Sequence, residues 1–367
     1  MHKMAITISE LQARVNKYQE DCFDNYAALK GLIFEEPFGM TFQAGEDNLF
    51  GKGVGIAGKL TDWAFDQIAE RLDAPHVRWL SDPKHCPSDL RIEIMNKLVG
   101  IRPDARLFVR SKGDVIRGVL SDEYTKFDNK PLVDMVAQAI AEMGVEPEVH
   151  RTEVGDEIRS YVLLPQVKFA EDPTKPIVSP NGTQGELPNM PGTSTSFVQS
   201  SPYGDGGLHP AIYITNSERG GGKARVVGAV FRYVCGNGLI WGWNAQDVFA
   251  IRHRWISEGA MAILVAEAVG VAFKLSESAA MKFMASQEQR LEPKSLKPMI
   301  EDWATRYGLT IDAKENWLAV ASGEAISYGR QGDPRLFDLV NAATYVAQSR
   351  TPDEREMMER MAGDLLR

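Results

Sequence analysis

Three pairs of strand-like segments lie between residues 107 and 234, and nothing after Trp255 reads as strand. This one-way change of pattern restricts the fold more than any single motif. In the first pair, Leu107-Phe108-Val109-Arg110 and Val115 to Leu120 flank Ser111-Lys112-Gly113-Asp114, a β-hairpin with a glycine in its turn. The second pair runs from Val149 to Val154 and from Ile158 to Leu164 around Gly155-Asp156. The third runs from Ala211 to Asn216 and from Ala224 to Val234 around Ser217 to Lys223. Helical spacing fills the gaps. Thr61 precedes Trp63, Phe65, Ile68 and Leu72; Ser88 precedes Leu90, Ile94 and Leu98; Asn129, with Pro131 just inside, precedes Leu132, Val133, Val136 and Ile140. Residues 7–30 predict one more helix, and Ser257 to Leu291 one long one. The fold class expected is α+β: an antiparallel, hairpin-rich sheet flanked by helices, with an all-helical C-terminal portion. The division expected is an α+β core over 1–254 and a helical portion over 255–367. A Pro-, Ser- and Gly-rich insertion at about 171–208 falls inside the core.

Composition narrows the function classes. Cys22, Cys86 and Cys235 are odd in number and far apart, so neither a disulfide framework nor a CxxC zinc site is present. Residues 1–10 lack the charged-then-apolar plan of a signal peptide. The apolar run from Ala260 to Phe273 is short for a bilayer and carries Glu267. A soluble, cytoplasmic protein without a membrane partner is the expectation. The net charge of −9 is unevenly spread. Residues 101–130 are net +2 and 209–254 net +4, whereas 131–208 are net −7.

Gly53 to Thr61 approaches the phosphate-binding loop pattern, but Leu60 stands where a magnesium-binding hydroxyl is needed. A glycine turn before a helix capped by Thr61 explains the same residues. Asp122, Glu123 and Asp128 would suit a metal-dependent nuclease; Asn129 and its helix equally make them a turn and a cap. His209, Cys235 and His253 lack metal-ligand spacing, and no nucleophile elbow occurs. No catalytic residue, metal site or cofactor is therefore assigned. Basic and aromatic residues interleave at Arg232-Tyr233, Trp241-Gly242-Trp243 and Arg252-His253-Arg254-Trp255. Single-stranded nucleic acid asks for that mixture, cations for phosphates and flat rings for bases. Tryptophans at strand spacing serve as well in a core or a subunit contact.

Several stretches resemble the phage/plasmid-like protein family, a bacteriophage and plasmid family without an agreed activity. They are Leu60-Thr61-Asp62-Trp63-Ala64, Arg71 to Pro75, Arg110 through Arg117 to Tyr124, Asp128-Asn129, Ile212 to Glu218 and Phe231 to Gly238. The resemblance covers about residues 55–245. Gly118 departs from it, standing where the family carries alanine after the arginine, and the insertion is long. The resemblance implies a mobile genetic element and DNA metabolism or interference with the host. In plan, a hairpin-rich core with a helical tail is similar to phage single-strand annealing proteins, which assemble into rings or filaments. The leading expectation is a non-enzymatic, homo-oligomeric protein that binds single-stranded DNA, as an annealing or recombination accessory. Its groove would be lined by Arg110, Arg117, Arg225, Arg232, Arg252 and Arg254, with Trp241 or Trp255 for stacking. The alternatives are a counter-defence module that captures a host protein and the nuclease above.

Overall fold

A six-stranded sheet and a seven-stranded sheet, each with its own helices, meet along one seam. The structure is a computed structural model. It describes residues 5–29, 32–35, 39–42, 56–101, 106–144, 146–163, 208–232, 237–241, 249–251, 257–327 and 333–367. The fold is α+β.

The six-stranded sheet has the order β2-β6-β7-β5-β4-β3. Its strands are β2 (Cys22–Ala28), β3 (Leu32–Glu35), β4 (Gly39–Phe42), β5 (Ile56–Leu60), β6 (Arg106–Lys112) and β7 (Val115–Ser121). The first expected hairpin is β6–β7, pairing Arg110 with Gly118. The pairing of β5 with β7 is parallel. One face is covered by α2 (Asp62–Arg71), α3 (Val77–Ser81) and α4 (Ser88–Val99), which bury Phe65, Ile68, Leu80 and Met95 on Leu107, Val109, Ile116 and Val119. Thr61 caps α2 by accepting from the Ala64 N–H at 3.1 Å. The residues before it form β5 from Ile56 onward, a strand where a glycine turn was expected; Gly53 to Gly55 lie outside the described residues.

The seven-stranded sheet has the order β1-β8-β9-β10-β11-β12, with β13 also on β11. It comprises β1 (Ile6–Thr7), β8 (Glu148–Val154), β9 (Glu157–Leu163), β10 (Leu208–Ser217), β11 (Ala224–Arg232), β12 (Asn237–Ile240) and β13 (Phe249–Ile251). The second and third expected hairpins are β8–β9 and β10–β11. Strand alternation sends Ile158, Val162, Ile212, Ile214 and Val226 to one face. There they meet α1 (Ile8–Gln19), α5 (Asn129–Glu142) and α6 (Glu258–Ala285). Tyr161, Tyr213, Val227 and Phe231 point to the other face, towards α10 (Pro352–Leu365).

Three expectations change. The strand pairs form two sheets rather than one, because β6–β7 pairs with β2 and β5 and not with the later hairpins. The helix expected over 7–30 stops at Gln19, and Cys22–Ala28 becomes β2, hydrogen-bonded to β6. In α4 the fully buried face is Arg91, Met95 and Val99, one residue away from the expected Leu90-Ile94-Leu98 stripe, and Leu90 is 40% exposed.

The helices after residue 255 are α6, α7 (Leu296–Arg306), α8 (Ile311–Ser327), α9 (Leu336–Ala347) and α10. Position 254/255 marks where strands stop, not where a core stops. Val230, Leu239 and Trp241 share one apolar cluster with Phe283, Trp317, Leu339 and Met361. Apart from Leu208, residues 171–208 lie outside the described residues, with β10 starting at that position.

Candidate functional site

The seam between the sheets is built from charge. Arg110 of β6 and Arg117 of β7 point into it and are 1% and 2% exposed. Arg110 grips the Asp24 carboxylate of β2 with Nε at 2.8 Å and Nη2 at 3.0 Å. It also donates to Asp128 Oδ1 at 2.5 Å and to the Glu218 carbonyl at 2.7 Å. Arg117 Nη1 donates to Glu218 Oε2 at 2.7 Å and to Asp156 Oδ1 at 2.8 Å. Lys126 closes the outside, 2.7 Å from Asp24 and 3.1 Å from Asp128.

Glu218 is the hub. It is fully buried, directly after β10, and its Oε1 accepts from the Asn129 N–H at 2.8 Å and from Gln19 Nε2 at 3.1 Å. Tyr18 donates to Asp156 at 2.7 Å, and Asn216 donates to Asn129 Oδ1 at 3.0 Å. One network thus ties α1, α5, β2, β6, β7 and both hairpin turns of the larger sheet. Burial alone would depress the Arg117 guanidinium; Glu218 and Asp156 outweigh it and hold it above its ordinary value. Burial pushes the Asp24 carboxyl up, but Arg110 and Lys126 win and keep it low.

Trp63, Arg110, Arg117, Asp128, Asn129, Asn216 and Glu218, all from stretches that carry the family resemblance, meet at or beside the seam. Trp63 of α2 donates its indole N–H to the Arg219 carbonyl at 3.1 Å, and Gln67 donates to the same oxygen at 2.7 Å. The Arg219 guanidinium lies 5.1 Å from the Trp63 ring centroid and 3.1 Å from Glu157. Gly220, at φ +81°, lets the turn fold against Leu120, where a Cβ would come within 2.4 Å of that side chain. A Cβ at Gly118 would stand 3.2 Å from Arg219 Cβ, so an alanine there would need only a small adjustment.

The expected groove residues are distributed differently from the expectation. Arg110 and Arg117 do not line a groove; they are buried and neutralised, because β6 and β7 turn them towards Asp24 of the same sheet, Asp128 at the start of α5, and Asp156 and Glu218 in turns of the other sheet. Trp241 is 5% exposed and packs in the C-terminal core, so it offers no face to a base. Arg225 is half-buried on the face towards α10, near Glu356, and burial lowers its pKa. Arg232 ends β11, and its side chain lies outside the described residues, as do Arg252, Arg254 and Trp255. The structure brings Arg110 and Arg117 together and places Trp241 elsewhere.

Asp128 is the N-cap residue of α5 and is paired with Arg110 and Lys126, while Asp122 and Glu123 sit in the turn after β7. Among the described residues, no three His, Cys, Asp or Glu side chains form a set able to hold a metal ion. His209 is buried, and burial pushes its imidazole down to about 4 despite the nearby Glu148. Cys235 and His253 lie outside the described residues.

A second polar cluster joins α10 to the larger sheet. Tyr161 and Arg151 both donate to the buried Glu359 carboxylate at 2.5 Å, and Tyr213 donates to Glu356 at 2.9 Å. Arg159 meets Asp353 at 2.5 Å, and Arg355 meets Glu153 at 2.9 Å. The cluster anchors the last helix to the sheet.

These features define a class: an α+β protein whose two sheets are locked by a buried arginine–carboxylate network. The family model described as a domain of unknown function, DUF932, matches residues 117–320. The chain belongs to that family, and the match takes in Arg117, Asp156 and Glu218 of the seam. No curated protein and no solved structure matches the chain significantly.

Proposed function

We propose that this is a non-enzymatic protein of a phage or plasmid that binds single-stranded DNA, as an accessory to annealing or recombination. The observation that carries the reading is Trp63. Its ring is 39% exposed, its N–H is tied to the Arg219 carbonyl, and the Arg219 guanidinium stands over it. A fixed ring beside a cation supplies base stacking and phosphate attraction at little entropic cost. Gly220, Gly221 and Gly222 are exposed next to it, followed by Lys223, so a sugar-phosphate backbone can approach the chain closely. Arg219 would exchange Glu157 for a phosphate on binding. The contact therefore sits on the turn between β10 and β11 and the start of α2, not on the buried arginines.

The test is fluorescence anisotropy of a labelled oligothymidine at low salt. Affinity should fall as salt rises, since phosphate contacts release counterions. Trp63→Ala should weaken binding by about tenfold, the effect of one lost stacking platform. Arg219→Ala should weaken it too, because the carbonyl that holds Trp63 remains. Absence of affinity at low salt removes the reading.

A further inference from the structure

Among the described residues, nothing covers one face of helix α6. It is 28 residues long, about 42 Å at 1.5 Å per residue. Its inner face buries Met261, Val265, Ala268, Val269, Ala272, Ala279 and Phe283. The opposite face carries Gly259, Ile263, Glu267, Gly270, Lys274 and Met281, spaced by three, four or seven residues and so in one stripe. Ile263 is 63% and Met281 65% exposed, large apolar side chains left in water. A Cβ on Gly259 or Gly270 would meet nothing within 4 Å, so the backbone there is open to close approach. The most apolar 18-residue window within Gly259–Ala285 has a mean hydropathy of 1.6, and only 35% of it is buried.

The order of residues in this stripe identifies what covers it. When two copies of α6 lie antiparallel about a two-fold axis passing between Gly270 and Val271, Glu267 of each faces Lys274 of the other. The same register sets Met281 over Ala260 and Ile263 beside Ser278, and puts Gly270 at the crossing point. Each large side chain meets a small one, and each charge meets its opposite, twice. A two-fold interface requires such self-complementarity, since one patch must serve both sides. We infer that the outer face of α6 is a homodimer interface, built on a two-fold antiparallel helix pair with reciprocal Glu267–Lys274 ion pairs. A lipid surface would not call for opposite charges at the centre of the stripe. The inference does not depend on DNA binding, and its test is run without nucleic acid.

Sedimentation equilibrium of the full chain, with Glu267→Lys, Lys274→Glu and the combined exchange, decides it. The unchanged chain should be a dimer. Each single reversal turns two attractions into two repulsions and should weaken self-association by at least about tenfold. The combined exchange should restore the dimer, which a merely misfolded variant could not do; circular dichroism checks each variant's fold. A monomeric unchanged chain overturns the inference. So does a dimer indifferent to both reversals, which would use another face, or partition of the unchanged chain onto phosphatidylcholine vesicles in place of self-association.

Discussion

Arg117 shows how far a charge in the sequence can stand from a charge on the surface. The stretch 101–130 is net positive by composition, yet two of its arginines lie in the seam with Asp24, Asp128, Asp156 and Glu218 around them. Only Asp128 belongs to that stretch; Asp24, Asp156 and Glu218 come from β2 and both hairpin turns of the larger sheet, so a segment sum cannot see them. Asp24 was hidden further, because residues 7–30 carry helical spacing through Val15 and only pairing with β6 makes the rest a strand. The arginines themselves, and the Asn216-Ser217-Glu218 stretch, were visible as motif residues; their burial was not. The network makes a direct prediction. Arg117→Met leaves Glu218 fully buried without its cation, and breaking such a pair from one side costs about 3–5 kcal/mol. The urea midpoint should fall accordingly, with the slope little changed. Adding Glu218→Gln should recover part of the loss, because it removes the stranded charge. An unchanged midpoint in Arg117→Met would mean that the seam is held elsewhere.

Among the elements, the later hairpins were legible because their turns and alternation are local. The pairs β8–β9 and β10–β11 form where the sequence places them, and Ser257 caps α6 by accepting from the Ala260 N–H at 3.3 Å. Strands β3, β4 and β5 were not legible; they are short, and β5 is fixed by a parallel pairing with β7, a partner more than fifty residues away. How α6 sits on the sheet is also a non-local fact, and it turns on Gly228 of β11. A Cβ there would come 2.7 Å from the Ala272 carbonyl oxygen and 2.8 Å from Leu275 Cβ. Backbone cannot yield as a flexible side chain would, so Gly228→Ala must push helix from strand. A loss of about 1–3 kcal/mol is expected from such overpacking, read as a lower thermal midpoint. Gly323→Ala in α8 meets no neighbour within 4 Å and serves as the control, since alanine is the better helix former. Equal midpoints for Gly228→Ala and the unchanged chain would refute the close packing.

For the whole molecule, the change from strands to helices near residue 255 suggests two parts, but the packing makes them one. Helix α6 supplies Met261, Val265, Ala268, Val269 and Ala272 to the same core as Ile212, Ile214 and Val226. Helix α10 seals the other face, where Tyr161 and Tyr213 place their hydroxyls on Glu359 and Glu356. Burial pushes both phenols and the Glu359 carboxyl upward, as expected where the helix excludes water. A chain ending at residue 254 would therefore expose the α10 face of the larger sheet and the part of the opposite face that lies under α6. Its β10 and β11 are rich in β-branched residues, and uncovered they become an aggregation site. The smaller sheet would not survive alone either, because Glu218 and Asp156 reach it from turns of the larger one. Residues 1–254 should thus be insoluble or lack near-ultraviolet circular dichroism, whereas the full chain should unfold in one transition seen alike by fluorescence and far-ultraviolet dichroism. Cooperative unfolding of residues 1–254 on their own would show two independent cores and defeat the prediction. The charge pattern fits the single unit: cations placed by the sequence in the strands are answered by carboxylates from helices and turns that only the complete fold brings to them.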